Sequence, residues 1–349
     1  MFEIEMLPAR EGDALWIRYG TPKKTYQILI DAGRHTTAEE LSDRLSVMPR
    51  DRRVFELLIV THIDRDHIEG VLRLLASPAP KFKEIWFNAY DHLRSVSLES
   101  YGPVQAENLS KLMSRNKLPW NRTWKGDAVC LGRGLRRLQL AGGMWLTLFS
   151  PDREKLEKLI PVWERECRKA GLQPGAGSSP SEPRGLEVFG ELDVESLASE
   201  PFRADSGEAN GSSIAVLAEY GGKRVLLTGD AHADRLIKSI KQFKGRSRRL
   251  KVDALKVPHH ASAHNLSSEL LRLLDCRRFL ISTNGAYFRH PSQQAVSRIL
   301  KFAGGEFTLF FNYRSKFTTI WNDPIAKKTY RYEVVYPDRG RNGNLTVSL

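Results

Sequence analysis

The chain has 349 residues, of which 41% are hydrophobic and 27% are charged, as in ordinary globular proteins. No apolar run approaches membrane-spanning length, and the N-terminus lacks the basic and apolar blocks of a signal peptide. We therefore expect a cytoplasmic protein without membrane contact. Lys and Arg outnumber Asp and Glu by 54 to 41, and this net charge of +13 favours polyanionic partners, nucleic acid first.

The first half of the chain is typical of paired strands followed by strand–helix units. The pattern predicts strands at 2–7, 14–19 and 26–30, a helix at 36–47, a strand at 55–60, a helix from 68 to 75, a strand at 85–88, a helix at 104–115, strands at 138–140 and 144–149, and a helix at 152–170. Residues 173–183 are rich in Gly, Ser and Pro, so we expect a linker there and weak order over 173–208.

The second half returns to the same order of elements. It predicts hairpin strands at 214–220 and 224–228, a helix at 233–242, a strand at 254–257, a helix at 267–274, a strand at 278–282, a helix at 291–302, and strands at 306–311 and 318–321. This order favours an α/β (α+β) fold with two mixed sheets face to face and helices outside. We expect one domain over 1–349, with an insertion at 152–208.

One turn is rich in residues that bind metal ions. Four of them fall within six positions, between an apolar strand and an apolar helix pattern: His62, Asp64, Asp66 and His67. Buried Asp and His side chains are costly unless something compensates them, and a divalent cation is a common compensation. The alternative is a solvated polar turn, but the strand–turn–helix setting favours a metal site.

Four further polar features end predicted strands in the same way. They are Asp31, Asp230, the pair His259-His260, and His290. Each of them alone is typical of a cap or turn residue. Their order along the chain favours a joint role with the metal-rich turn.

Together these residues resemble the ligand pattern of the metallo-β-lactamase-fold hydrolases. The chain is most similar to the soluble hydrolase domain of ComEC-type DNA-uptake proteins. The similarity lies in five segments, which occur in the same order: Glu11–Ala14, Leu29–Gly33, Leu226–Ala231, Lys256–Ser262 and His290–Ser292. It covers most of the chain except about 152–208, and it does not extend to a membrane channel. It implies a metallo-β-lactamase-like αββα sandwich.

The resemblance also implies one or two divalent metal ions, Zn or Mn, and a role for each residue. His62 and Asp64 would face the first metal, and Asp66 and His67 would face the second. Asp230 would bridge the two metals, and His290 would be the last ligand of the second metal. Asp31 would be a carboxylate that orients a ligand imidazole. Asp66 would act in catalysis as well, and His259 or His260 would protonate the leaving oxygen unless one of them is a ligand.

The sequence departs from the family pattern in two ways that bear on the metal. Asp64 stands where the family has a second His, and carboxylate-rich sites favour Mn²⁺ or Mg²⁺, so we expect manganese to compete with zinc. The family's middle ligand His has no obvious counterpart, with Asn88 and His92 as the nearest candidates, so a site with a single metal is also open.

Three functions follow, in order of preference. The first is a metal-dependent phosphodiesterase or nuclease, with Lys256, Arg248 and Arg249 as candidate contacts to nucleic-acid phosphates. The second is a hydrolase of small esters or phosphoesters at the same site, because this fold hosts many substrates. The third is a nucleic-acid-binding module that has lost catalysis. The sequence does not indicate protein partners.

Overall fold

A computed structural model describes residues 1–76, 80–90, 92, 104–169, 192–341 and 343–349. The linker predicted at 173–183 lies outside these residues. The described end of the predicted weakly ordered segment, 192–208, contains a helix at Val194–Ser199 whose N-cap Asp193 accepts a hydrogen bond from Ser196 N at 3.0 Å. This part of the segment therefore carries regular structure.

The strands form two large sheets and two small ones. In chain order they are β1 (Phe2–Met6), β2 (Leu15–Thr21), β3 (Lys24–Ile30), β4 (Val54–Phe55), β5 (Leu57–Ile59), β6 (Lys81–Phe82), β7 (Ile85–Trp86), β8 (Arg137–Gln139), β9 (Trp145–Ser150), β10 (Ala215–Tyr220), β11 (Lys223–Leu227), β12 (Leu250–Val252), β13 (Ala254–Lys256), β14 (Leu274–Cys276), β15 (Arg278–Ile281), β16 (Phe307–Phe311), β17 (Tyr332–Val335) and β18 (Leu345–Ser348).

The helices follow individual strands and cover the outer faces. In chain order they are α1 (His35–Ser46), α2 (Arg65–Ala76), α3 (Val104–Arg115), α4 (Arg153–Lys169), α5 (Val194–Ser199), α6 (Glu208–Gly211), α7 (Ala233–Lys244), α8 (Ser268–Arg272), α9 (Gln293–Phe302), α10 (Lys316–Thr319) and α11 (Pro324–Tyr330). Short 3-10 helices lie at Arg50–Arg52, Arg122–Trp124, Ala141–Gly143, Pro258–Ala261 and Ile320–Asn322.

Both large sheets combine antiparallel and parallel strands. The first has the order β18-β1-β2-β3-β5-β7, and the second has the order β17-β16-β15-β13-β11-β10-β9-β8. Within each sheet, the strands that alternate with helices are parallel, from β3 to β7 and from β11 to β17. Parallel strands need a crossover connection, which the helices supply.

Three hydrophobic clusters show that the sheets are stacked between helices. One lies between the two sheets, where Ile17 and Ile28 meet residues such as Leu148 and Val216. Leu29, on the opposite face of β3, packs with α1 to α4, and a third cluster joins the second sheet to α7, α8 and α9. Since side chains alternate along a strand, both faces of each sheet are buried, and the result is the predicted αββα sandwich.

One predicted strand is wrong. Residues 318–321 belong to helix α10 and the 3-10 helix that follows it, not to a strand. The β-branched residues Thr318 and Thr319 favour a strand, but Ser315 caps the helix together with the Thr318 side chain. The fully buried Trp321 fixes the turn against the core, so tertiary packing overrides the local propensity.

The strands of both sheets end at one shared edge of the sandwich. The loops after β5 and before β10 are joined by a hydrogen bond from Ile214 N to Thr61 O at 2.8 Å, and His259 N donates to Gly229 O between the loops after β13 and β11. We call this edge, where β3, β5, β11, β13 and β15 end, the carboxyl edge. In the described part of the chain, no helix is long and apolar enough to cross a membrane.

Candidate metal centre

Asp230 lies at the middle of a cluster of polar side chains on the carboxyl edge. Its Oδ2 atom faces four imidazole Nε2 atoms: those of His260 (3.4 Å), His67 (3.5 Å), His259 (3.7 Å) and His62 (3.9 Å). The residues come from the loops after β5, β11 and β13 and from the first turn of α2. The tertiary structure therefore brings together residues up to 198 positions apart in the chain.

The four imidazoles share one hydrogen-bonding pattern. Each Nδ1 atom lies against an acceptor: Asp31 Oδ2 for His67 (2.8 Å), Ser282 O for His260 (2.8 Å), Asn265 Oδ1 for His259 (2.9 Å) and Thr61 Oγ1 for His62 (3.0 Å). An imidazole whose Nδ1–H donates outward presents the Nε2 lone pair inward. All four rings are thus oriented to give a nitrogen ligand to the centre.

Asp31 is the carboxylate behind His67. Its Oδ1 accepts from Thr61 N at 2.8 Å, and its Oδ2 accepts from Thr61 Oγ1 at 2.6 Å as well as from His67 Nδ1. Because the Thr61 hydroxyl donates to Asp31, its lone pairs are available to His62 Nδ1. One buried carboxylate therefore orients two of the four imidazoles.

Two further carboxylates lie beside the imidazoles. Asp64 Oδ2 is 3.5 Å from His62 Nε2, and Asp66 Oδ2 is 3.9 Å from the Nε2 atoms of His67 and His260. Asp66 is nearly buried, whereas 45% of the Asp64 side chain is exposed. Asp64 therefore lies at the open side of the centre and Asp66 at its buried side.

The close approach of Asp66 depends on a glycine. A Cβ atom at Gly12 would overlap the backbone carbonyl of Asp66. Gly12 thus allows the loop between β1 and β2 to pack directly against the first turn of α2.

Asp13, the next residue, is a member of the site that the sequence did not single out. It belongs to a buried group of potential ligands with His67, Asp230 and His260, whose donor atoms all lie within 4.8 Å of one another. Its Oδ1 is 3.6 Å from His260 Nδ1, and its Oδ2 is paired with Lys256 Nζ at 2.6 Å. The segment Glu11–Ala14 signalled only a resemblance, because nothing local shows that β1 and β2 deliver it to the metal turn.

The expected contact between Lys256 and nucleic acid has to be corrected. Lys256 is fully buried, and its ammonium donates to Val257 O and pairs with Asp13. A buried ion pair of this kind has no surface for a phosphate, and separating it would leave a buried charge uncompensated. Lys256 therefore holds Asp13 in place behind His260.

Several polar atoms at the centre remain without a protein partner. Of the seventeen buried side-chain atoms without a hydrogen-bond partner in the described part of the chain, five lie at this centre: His62 Nε2, His67 Nε2, His260 Nε2, Asp230 Oδ1 and Asp13 Oδ1. Buried polar groups are almost always satisfied, so this concentration at one point indicates a missing ligand. Imidazole nitrogens and carboxylate oxygens are donors for a divalent metal, and the residues present fit such an ion.

The pKa values of the site favour protonated imidazoles beside ionised carboxylates, so protons lie where a cation would bind. Burial alone would lower the pKa of His67, but the carboxylates of Asp230, Asp31 and Asp66 outweigh it and raise this pKa well above its ordinary value. Burial opposes the charge on Asp230 too, yet the neighbouring imidazoles hold its pKa well below the ordinary value. Burial alone would lower the pKa of His259 too, but Asp230 and Asp205 raise it to about 9.

The two consecutive imidazoles of the later loop are held by an unusual backbone. His259, His260 and Ala261 all have positive φ angles, of 47°, 52° and 65°. For residues other than glycine this conformation costs roughly 1–2 kcal/mol each. Hydrogen bonds from Ser262 N to His259 O and from Ser292 N to Ala261 O stabilise the turn, which directs both rings to Asp230.

Asp205 is a second site residue that sequence reasoning missed. Its Oδ2 lies 3.6 Å from His259 Nδ1 and accepts hydrogen bonds from the side-chain amides of Asn210 and Asn265. It falls in the segment that was expected to be weakly ordered, and no local motif marks it. Only the packing of this loop beside the His259 turn reveals its contact with the centre.

The other predicted site residues lie further out. The His290 ring is 5.4 Å from the His259 ring between centroids, and its Nδ1 is 3.4 Å from Ser292 Oγ, so a ligand role for His290 stays a prediction. Asn88 exchanges hydrogen bonds with the backbone of Val129, and His92 Nδ1 accepts from Ala89 N. Neither of these contacts is to the metal centre, and they give both side chains a structural role.

Arg248 and Arg249 lie on the other side of the molecule. They come immediately before β12, which leads into β13, whereas the metal centre follows the end of β13. Arg248 is exposed, and Arg249 Nη1 donates to Ala303 O at 3.4 Å. The structure thus separates this arginine pair from the metal centre by the length of the sheet.

The fold and the cluster agree with the family comparison. The sequence matches the profile of the Metallo-beta-lactamase superfamily over residues 8–285, which is most of the chain. The chain belongs to the metallo-β-lactamase superfamily. Members of this superfamily are hydrolases, and in this member the metal-donor cluster lies where the strands of both sheets end.

Solved structures of metallo-β-lactamase-fold proteins are among those similar to this chain. YhfI from Bacillus subtilis is 10% identical, with 99% of each chain covered and a TM-score of 0.41. A putative metal-dependent hydrolase from Parabacteroides distasonis is 13% identical, covering 96% of this chain and 93% of that one with a TM-score of 0.40. A diphosphatase from the PhnP family is 10% identical, covering 97% and 85% with a TM-score of 0.37. Comparison with curated protein sequences gives no significant match.

Proposed function

We propose that this metallo-β-lactamase superfamily member is a metal-dependent phosphodiesterase that cuts DNA or RNA. The observation that carries the proposal is the convergence of four imidazole Nε2 atoms on Asp230 Oδ2, with Asp64 and Asp66 beside them. Such a donor set serves hydrolysis better than binding alone, because a purely structural role would not leave ligand atoms unpaired.

The residues divide into two groups around Asp230. His62 lies beside the exposed Asp64, and His67 and His260 lie beside the nearly buried Asp66. Divalent cations in such positions supply Lewis acidity, which stabilises phosphate charge and makes water a better nucleophile. Asp230 lies beside both groups, so it would be the ligand that two cations share.

The two consecutive histidines differ in exposure, and this suggests different roles. The His260 side chain is 1% exposed, which suits a metal ligand, whereas the His259 side chain is 20% exposed. We assign His259 as the group that holds a proton for the leaving oxygen, since its ring is partly open to solvent and is held by Asn265 and Asp205. This assignment is our proposal for the alternative that the sequence leaves open.

The donor chemistry bears on the metal. With His259 assigned to hold a proton, the imidazoles of His62, His67 and His260 remain as ligands, and imidazole suits zinc. The carboxylates of Asp64, Asp66 and Asp230 suit manganese as well, so we retain Zn or Mn as the candidate ions.

Nucleic acid as the substrate is supported by two properties of the sequence. The net charge of +13 favours polyanions, and the five matched segments resemble the hydrolase domain of ComEC-type DNA-uptake proteins. We further propose that residues 1–349 form one domain, with 152–208 as an insertion between β9 and β10.

A small phosphoester is the second candidate substrate, and one observation favours it. The arginine pair Arg248 and Arg249 lies away from the carboxyl edge, so it forms no basic track beside the metal centre. A small substrate would need no extended basic track.

The experiment is a metal-dependence assay with the purified protein. Zn²⁺, Mn²⁺ and Mg²⁺ are each tested with single-stranded DNA, duplex DNA, RNA and bis-p-nitrophenyl phosphate. Asp66→Asn is the test variant, and Asp51→Asn, an exposed carboxylate in the 3-10 helix before β4, is the matched control. We expect metal-dependent cleavage in the wild type and the control but not in Asp66→Asn.

Other outcomes identify the alternatives. Turnover of the small ester without cleavage or binding of nucleic acid would favour the second candidate. Nucleic-acid binding by a protein that retains no metal would favour a binding module without catalysis. Equal activity in Asp66→Asn and the wild type would exclude this centre as the source of activity.

A further inference from the structure

An aromatic loop lies directly beside the metal centre. It follows β15 at the carboxyl edge and contains Tyr287, Phe288 and Arg289 in sequence, with His290 at its end. No sequence motif gave it a role beyond the candidate ligand His290. Its rings form a continuous series that begins at the imidazole of His259.

The distances define this series of rings. The His259 and His290 rings are 5.4 Å apart and nearly perpendicular, and His290 is stacked on Phe288 at 6.0 Å with an interplanar angle of 25°. Phe288 in turn meets Tyr287 edge to face at 4.7 Å. Because His259 Nε2 is 3.7 Å from Asp230 Oδ2, the aromatic series leads outward from the centre to solvent.

The loop is built to hold these rings in place. Asn284 N donates to Arg10 O, Ala286 N donates to Asn284 Oδ1, and Arg289 N donates to Gly285 O, which closes the turn. Gly285 has a φ of +72°, and a Cβ atom there would overlap the Phe317 ring and lie 2.6 Å from His290 O. The loop is therefore packed tightly at its base, and its tip presents the aromatic side chains.

Tyr287 at the tip is exposed in a way that large apolar side chains rarely are. Among the described residues it is one of five exposed large hydrophobic side chains, with 48% of its surface accessible. Its ring is nearly perpendicular to that of Phe288, and about half of the residue's surface faces solvent. Two arginines lie close along the backbone: Arg289 is two residues after Tyr287, and Arg10 O accepts the hydrogen bond from Asn284 N.

We propose that Tyr287, supported by Phe288, is a stacking platform for a base of the nucleic-acid substrate next to the phosphodiester at the metal centre. An exposed aromatic ring is the feature on which proteins stack the bases of single-stranded nucleic acid, since every base has a π-face. The inference rests on the proposed phosphodiesterase function and adds to it the class of substrate: a single strand whose bases are accessible.

The test compares two substrates that differ only in their bases. One is oligothymidylate, and the other is an oligomer of the same length made of abasic tetrahydrofuran units, with the same phosphodiester backbone. Tyr287→Ala removes the ring, Tyr287→Phe keeps it, and Val47→Ala removes an exposed apolar side chain after the end of α1, far from the carboxyl edge.

We expect Tyr287→Ala to raise KM for oligothymidylate by about 5-fold or more, as the loss of one base–aromatic stack does. Its KM for the abasic oligomer should stay at the wild-type value. In Tyr287→Phe and Val47→Ala, the KM for each of the two substrates should also stay at the wild-type value. An equal change on both substrates, or no change on either, would overturn the stacking role.

A binding measurement separates this inference from the proposed activity. A short single strand that contains 2-aminopurine loses fluorescence when the base stacks, and this is measured without added metal. Quenching by the wild type and Tyr287→Phe but not by Tyr287→Ala supports the platform even if no cleavage is detected, in which case only the proposed activity fails. Equal quenching by Tyr287→Ala would refute the platform.

Discussion

The two ends of the parallel strands differ sharply in how they carry charge. At the carboxyl edge, imidazoles and carboxylates are buried, and each is held by a specific partner, as Asp31 holds His67 at 2.8 Å. At the amino ends, basic side chains line a groove of about 650 Å³ together with acidic ones: Arg277, Arg278, Lys327, Lys328, Arg331, Glu306 and Glu333. Arg248 and Arg249 belong to the same end.

A surplus of basic residues therefore does not show where the functional site lies. The solvated arginines at the amino ends cost little to place and serve many purposes. The buried groups at the carboxyl edge are expensive, so their retention at one point requires a compensating ligand. If the chemistry belongs to the carboxyl edge alone, substitutions there should change turnover and substitutions at the amino ends should not.

The largest effect is expected at Asp230. Asp230→Asn keeps the shape of the side chain but removes the charge that four imidazoles face. We expect activity to fall by more than about 100-fold, because even the outer partners of metal ligands are worth about 10–100-fold. Steady-state turnover and the metal content of the purified variant measure the effect. Retained metal with full turnover would contradict the central role of Asp230.

Asp31→Asn is expected to have the next largest effect. The amide would still pack behind His67, but it would no longer accept both hydrogen bonds at full strength. Metal affinity should fall about 10- to 100-fold while the fold is retained. A competitive metal titration measures the affinity, and circular dichroism controls for folding. An unchanged affinity would show that His67 needs no oriented partner.

The affinity for the metal should increase with pH. The pKa of His67 is raised well above its ordinary value and that of His259 to about 9, so both are protonated at neutral pH in the metal-free protein. A cation that binds His67 Nε2 must displace a proton, so affinity falls as the pH is lowered. The expected change is about tenfold per pH unit for each proton displaced.

Calorimetry in buffers of different ionisation enthalpy counts these protons. Proton release that continues up to about pH 9 would involve His259 as well as His67. Binding without any release of protons would contradict a site formed by these imidazoles.

The smallest effect on chemistry is expected at the amino ends. Removing both charges in Arg248→Ala with Arg249→Ala should leave kcat unchanged. If nucleic acid binds at this end, the salt dependence of binding should become less steep by about 0.7–0.9 for each phosphate that the variant no longer neutralises. Fluorescence anisotropy over a range of salt concentrations measures the slope. A fall in kcat as large as that of Asp66→Asn would show that the amino ends of the strands also take part in the chemistry.

The sequence predicted the elements near the site better than those near the C-terminus. Around the metal turn, the predicted strand, polar turn and helix agree with the structure, because the local pattern and tertiary burial favour the same elements. At 318–321 they disagree, since Thr318 and Thr319 favour a strand while Ser315 and the buried Trp321 impose a helix. Strand β18 was not predicted, although it pairs with β1 and completes the first sheet.

Within the site, the sequence identified residues that carry a local signature and missed those that do not. His62, Asp66 and His67 are marked by their spacing in a turn after a strand. Asp13 and Asp205 lie in segments whose polar residues look like ordinary loop residues, and only packing brings them beside His260 and His259. Lys256 was misjudged for the same reason, because burial cannot be read from one lysine at the end of a strand.

Local sequence patterns were enough to predict the sandwich of two sheets and most residues able to bind metal, because strand alternation, helix periodicity and ligand type are local properties. Only the tertiary structure decided which imidazoles meet at Asp230, and it also decided that Lys256 is buried with Asp13 and that Tyr287 stands exposed at the edge of the centre. The physical reason is that these facts depend on how distant loops pack at the ends of two sheets, and packing between distant segments leaves no trace in local spacing.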